Sequence, residues 1–184
     1  MDLWVYILIG VIVVILIYVL ATYNSFVKLK NRVKEAFSTM DVYLKKRWDL
    51  IPNLVEVTKK YASHEKEVFE RLTKIRSRNY DDLSSNEKIT SNIELSSNLS
   101  RLLAIAESYP ELKASTNFID LSKNLTQVED EIAKSRKYYN GTVRDYNNII
   151  EMFPTNIVAL MCGFKSQKMF EAGAEEKESI KVEV

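Results

Sequence analysis

From residue 3 to residue 21 the chain reads LWVYILIGVIVVILIYVLA, nineteen residues without a charge. At helical rise this run covers about 28 Å, the thickness of a bilayer's hydrocarbon core. Trp4, Tyr6, Tyr18 and Tyr23 fall towards its two ends, where amphipathic rings favour the headgroup region. A secretory signal peptide is the competing reading, because Val19-Leu20-Ala21 satisfies a small-residue cleavage rule, but a basic segment ahead of the run is missing. Residues 1–22 are therefore expected to form a single transmembrane helix. Only Asp2 precedes the run, whereas Lys28, Lys30, Arg32 and Lys34 follow it. The flanking charge predicts a cell-membrane protein with its N-terminus outside and its body in the cytoplasm.

The rest of the chain is short of turn formers, with four glycines and three prolines in 184 residues. No pair of glycines is spaced for a phosphate-cradling loop. One histidine, His64, and one cysteine, Cys162, leave zinc sites, disulfides and His-dependent catalytic pairs without their parts. No cofactor is expected, no enzyme activity, and Cys162 reads as a small core residue. With 26 basic and 25 acidic residues the net charge is +1, which gives no general attraction for nucleic acid.

Hydrophobic spacing divides the body, residues 23–170, into helices. Phe26, Val33, Phe37, Met40 and Leu44 continue the membrane helix into the first. Asp49 as a cap and Pro52 in a first turn predict that a second helix starts near residue 48. Residues 79–86 are polar and read as a turn, in which Ser84 and Glu87 have the spacing of a capping box. Ile89, Ile93, Leu99, Leu103 and Ala106 give a third helix that ends about Tyr109, before Pro110. The fourth runs from Asn117 to Phe153, where Phe118, Leu121, Leu125, Val128, Ile132, Ser135, Tyr139, Thr142, Tyr146, Ile149 and Phe153 form a coiled-coil-like seam. Gly141 within it calls for a close backbone neighbour or a bend. The expected fold is all-α, an N-terminal transmembrane helix continuing into an antiparallel up-and-down four-helix bundle. Residues 157–164 (IVALMCGF) are too few to span; packing on the bundle end is favoured over contact with the membrane surface. Residues 171–184, with five glutamates, read as an acidic disordered tail.

Several blocks in this order resemble the LemA family of bacterial membrane-anchored helical bundles. They are Tyr23-Asn24; Lys46-Arg47-Trp48-Asp49-Leu50-Ile51-Pro52-Asn53-Leu54; Glu107-Ser108-Tyr109-Pro110-Glu111-Leu112-Lys113-Ala114; Arg136 through Tyr139-Asn140; Tyr146-Asn147; and Phe153-Pro154. The resemblance implies a four-helix bundle behind one membrane helix, no established enzymatic activity, and a place in envelope maintenance. Trp48 stands where that family usually has tyrosine or phenylalanine.

Two clusters follow from the expected connectivity. Arg47, Asp49, Pro52 and Asn53 at one membrane-distal turn should meet Glu107, Tyr109 and Pro110 at the other. An arginine among carboxylates can form charge-assisted bonds there, so a clasp fixing helix order is favoured over a docking surface. Arg136, Tyr139, Asn140, Tyr146 and Asn147 form a second, membrane-proximal stripe beside Tyr23, Asn24 and Arg76. Its tyrosines and asparagines are expected chiefly to pack and set register. The function these features favour is a non-catalytic scaffold or adaptor for other membrane or envelope proteins. The alternative is a self-associating, membrane-organising protein that uses its basic first helix and residues 157–164 on anionic lipid.

Overall fold

The computed structural model describes residues 3–170, and all regular structure among them is helical. The expected disordered tail lies outside the described residues. The elements are α1 (Leu3–Lys59), α2 (Lys66–Arg76), a 3-10 turn (Tyr80–Asp82), α3 (Ser85–Ser108), α4 (Pro110–Lys113), α5 (Thr116–Glu151) and α6 (Thr155–Cys162). α1 is the one described helix long and apolar enough to cross a membrane, and residues 3–18 of it are exposed throughout.

α1 does not stop near residue 48. It continues for 57 residues through Pro52, which corrects the helix break expected there. The core positions Met40, Leu44, Trp48, Ile51, Leu54, Val55 and Thr58 keep one helical stripe across the proline. Burial of that stripe outweighs the roughly 3 kcal/mol that an internal proline costs. The chain turns instead at residues 60–65, where Tyr61 donates to the Thr58 carbonyl at 3.1 Å and Ala62 to the same oxygen at 2.9 Å. His64 is exposed in that turn.

The third and fourth helices lie where the spacing put them, except that α5 ends at Glu151, so Phe153 falls beyond it, exposed, and is not part of the seam. α3 opens with the full capping box: the Ser84 hydroxyl accepts from the Glu87 amide, and the Ser84 amide donates back to the Glu87 carboxylate at 2.9 Å. These bonds hold the Glu87 carboxyl below the usual carboxylate range. Ten of the 24 residues of α3 are Ser, Asn or Thr. Thr90, Asn92, Ser96, Asn98 and Ser100 each donate to the carbonyl four residues earlier. α5 is continuous through Gly141, and a Cβ there would meet nothing within 4 Å, so no close backbone neighbour explains that glycine.

The chain divides into two compact units. One holds the chain up to Phe37 with Tyr138–Met169; its apolar cluster is Phe26, Val158 and Ala159, against which Val19, Ile149, Ile150 and Phe164 pack. The expected packing of residues 157–164 is therefore real, but on one face only, because Ile157, Leu160 and Met161 are exposed. Cys162 is exposed too, so it is not the core residue it was read as. α6 buries Val158 and Ala159, and Cys162 lies beyond that face. The other unit holds Ser38–Lys137 with Phe170. Its core includes Leu44, Trp48, Ile51, Leu72, Leu95, Leu102, Leu112 and Val128.

Candidate functional site

Arg47 projects from the inward stripe of α1 and is 1% exposed, among the largest fully buried side chains of the protein. A guanidinium out of water requires partners for its donors and a countercharge. Nη2 donates to the Asn92 carbonyl at 2.8 Å and to Asn92 Oδ1 at 2.9 Å. Nη1 donates to Ser96 Oγ at 2.9 Å and to the Glu129 carboxylate at 2.8 and 2.9 Å. One side chain of α1 thus makes three bonds to α3 and two to α5. Arg47 Nε is left without a partner. Asn92 is itself held, since its Nδ2 donates to the Lys88 carbonyl at 2.9 Å.

This arrangement changes the expected clasp. Because α1 continues to Lys59, Arg47, Asp49, Pro52 and Asn53 lie inside a helix, not at a turn. Asp49 and Asn53 are exposed and cap no helix end. Arg47 takes its carboxylate from Glu129 and not from Glu107, which pairs with Lys113 Nζ at 2.5 Å. Tyr109 and Pro110 form the junction at which α3 ends and α4 begins, with proline in the first helical position.

A second polar cluster in the same unit was not foreseen. Asp41 accepts from the Tyr80 hydroxyl at 2.6 Å and from Lys88 Nζ at 2.7 Å. Lys88 also stands over the Tyr80 ring, 4.6 Å from its centroid, and Trp48 packs against that ring at 5.3 Å. Burial, with the Asp41 carboxylate next in effect, pushes the Tyr80 hydroxyl well above the usual phenol range. The only signal in the sequence was one aromatic residue in a polar turn.

The membrane-proximal stripe separates. Arg136 falls in the unit of residues 38–137, with its guanidinium 5.6 Å from the Phe170 centroid. Arg76, expected beside Tyr23 and Asn24, is in that unit as well. Tyr139, Asn140, Tyr146 and Asn147 belong with Tyr23 and Asn24 in the other. There Asn147 Nδ2 donates to the Gln167 carbonyl at 2.9 Å, and the Gln167 amide returns a bond to Asn147 Oδ1 at 2.8 Å. The Tyr139 hydroxyl donates to the Lys168 carbonyl at 2.9 Å. Two side chains two turns apart on α5 thereby fasten the segment that follows α6. Tyr146 is buried, Tyr23 meets the Phe164 ring edge-on at 5.6 Å, and Asn24 is exposed. Burial raises the hydroxyls of Tyr139 and Tyr146 above their ordinary value.

On α1, Arg47 is paired with Glu129, and Lys45 with Asp81 at 3.5 Å. A cleft of about 710 Å3 opens beside Arg47 and Glu129, bordered by Ser96, Asn98, Arg136 and Phe170. Among the described residues no group of three or more His, Cys, Asp or Glu is placed to hold a metal.

The sequence was compared with known proteins. The model described as the LemA family matches residues 36–184, a stretch that contains the arginine clasp and the α5 stripe. The chain belongs to the LemA family. Among relatives of this LemA-family protein is magnetosome protein MamQ 2 of Paramagnetospirillum magneticum, 25% identical over 83% of this chain and 65% of the relative. Magnetosome protein MamQ of Magnetospirillum gryphiswaldense is 25% identical over 82% of this chain and 65% of its own length. Protein LemA of Metamycoplasma hominis is 27% identical over 84% of this chain and 71% of its own length. The LemA-family chain thus spans 65% of the length of the magnetosome relatives it matches.

Proposed function

We propose that this protein is a membrane-anchored, non-catalytic scaffold that presents one face of α1 to other membrane or envelope proteins. The reading rests on how the signature block of α1 divides. Arg47, Trp48, Ile51 and Leu54 turn inward and are buried. Val42, Lys46, Asp49, Asn53 and Glu56, spaced by three and four residues, turn outward and are exposed. The inward set fixes the helices, which leaves the outward set as the part of the block able to meet a partner. Arginine, asparagine and glutamate joining α1, α3 and α5 support an antiparallel four-helix bundle as the platform. That two relatives are called magnetosome proteins supports a role inside a larger assembly.

Co-purification after cross-linking in intact membranes tests the reading, comparing the native chain with Asp49→Lys, Asn53→Ala. Both positions are exposed, so the variant keeps its fold. One or two stoichiometric partners, lost in the variant, are expected; recovery of the protein alone from both chains would refute a scaffold. The cations that follow the span support a cytoplasmic body. In a Cys162→Ser background, Asn53→Cys should react with a membrane-impermeant maleimide only after lysis, and labelling in intact cells would reverse the orientation.

A further inference from the structure

α6 is apolar nearly all round, with Ile157, Val158, Ala159, Leu160 and Met161 in succession, yet the protein covers only one side of it. Val158 and Ala159 are buried against Phe26. On the other side Leu160 is 84% and Met161 76% exposed, Ile157 lies between them, and Phe153 at the approach to α6 is 79% exposed. A helix without a polar face is stable only where both sides meet an apolar medium. Its position supplies that medium. The cluster that seats α6 also takes Val19, so α6 lies beside the last turns of the uncharged run.

The pose is fixed at both ends. The Thr155 hydroxyl donates to the Ile149 carbonyl at 2.5 Å and the Met152 carbonyl at 2.8 Å, tying α6 to the end of α5. Gly163, at φ 72°, supplies the left-handed cap that turns the chain so that Phe164 packs 5.0 Å from the Phe26 ring. From Met152 to Phe170 there is no acidic residue, and the exposed cations are Lys165 and Lys168. Lys30 of α1 stands 5.9 Å from the Phe164 centroid, adding positive charge at the same level.

We infer that α6 is a second membrane contact, lying in the interfacial layer of the bilayer that α1 crosses, with Phe153, Ile157, Leu160 and Met161 in the acyl boundary and the lysines among anionic headgroups. This goes beyond the scaffold reading and holds whether or not a protein docks on α1. The full chain with Cys162→Ser and a single new cysteine, Leu160→Cys or Met161→Cys, is labelled with an environment-sensitive fluorophore. It is then reconstituted in vesicles of equal parts phosphatidylcholine and phosphatidylglycerol. Both positions are exposed, so the labels leave the fold intact; Tyr138→Cys, on the exposed face of α5, is the aqueous control. Labels on α6 should emit to the blue of the control and lose intensity to lipids carrying a nitroxide near the headgroup. Aqueous iodide should quench the control alone. Iodide quenching at either α6 position without nitroxide quenching would overturn the inference. So would shielding from both quenchers that disappears as protein is diluted in lipid, since that marks a second copy as the occupant.

Discussion

Arg47 ties three helices together, because it is buried on α1 and its partners lie on α3 and α5. Arg47→Ala should lower the stability of the full chain in detergent by about 3 kcal/mol, read from denaturant unfolding. Glu129→Ala should cost a similar amount. The Glu129 side chain is 39% exposed and would lose little on its own account, but its removal strands a buried cation. A Glu129 variant as stable as the native chain would show that the arginine is solvated. Tyr80 sets a second test. Its hydroxyl is held protonated in the folded protein, so the stability this contributes is complete below the unfolded tyrosine value of about 10 and is lost as pH rises above it. Tyr139 and Tyr146 act in the same sense. An alkaline unfolding series should therefore slope less steeply for Tyr80→Phe while keeping some slope. Arg47 was legible in the sequence as a clasp residue, but Glu129 was not, because it sits eighty-two residues away on an otherwise ordinary charged face.

Among the elements, α3 and α5 were readable nearly to the residue. Their boundaries are set by local chemistry: the Ser84 and Glu87 box, Pro110 after Tyr109, Pro154 after Glu151. The junction of the first two helices was misread because proline is equally at home in a first turn and, where packing compels it, in a helix interior. Asp49 beside Pro52 fits the first, whereas Trp48, Ile51 and Leu54 buried on one stripe decide for the second. The two arrangements respond oppositely to one substitution. In a continuous α1, Pro52→Ala restores a main-chain donor to the Trp48 carbonyl and should stabilise the chain by about 1–3 kcal/mol. Were the proline opening a new helix, the same change would be neutral or harmful. Denaturant unfolding of the two chains distinguishes them. The shift in this turn also moved the expected clasp, since assigning Asp49 and Asn53 to a helix end placed Arg47 opposite Glu107.

At the scale of the molecule, the apolar span and the helical class were plain because each depends on a long run of residues: nineteen uncharged positions in one case, eleven seam positions in the other. Which polar groups would meet depended on where a single turn fell, and no local pattern encodes that. The same scale gives α3 a particular standing. Its many Ser, Asn and Thr side chains bond their own backbone, which lowers intrinsic helix preference. α3 is therefore held by its neighbours more than by itself, with Arg47 as the principal tether. Native-state hydrogen exchange should find α3 amides opening at lower free energy than those of residues 40–58 in α1, and Arg47→Ala should lower the α3 value further. Equal protection across these helices would contradict that ranking. Opening exposes a serine-rich segment whose extended form a protease can grip. Limited proteolysis should therefore cut Arg47→Ala within α3 sooner than the native chain, so that the arginine arranging the helices also sets their resistance to cleavage.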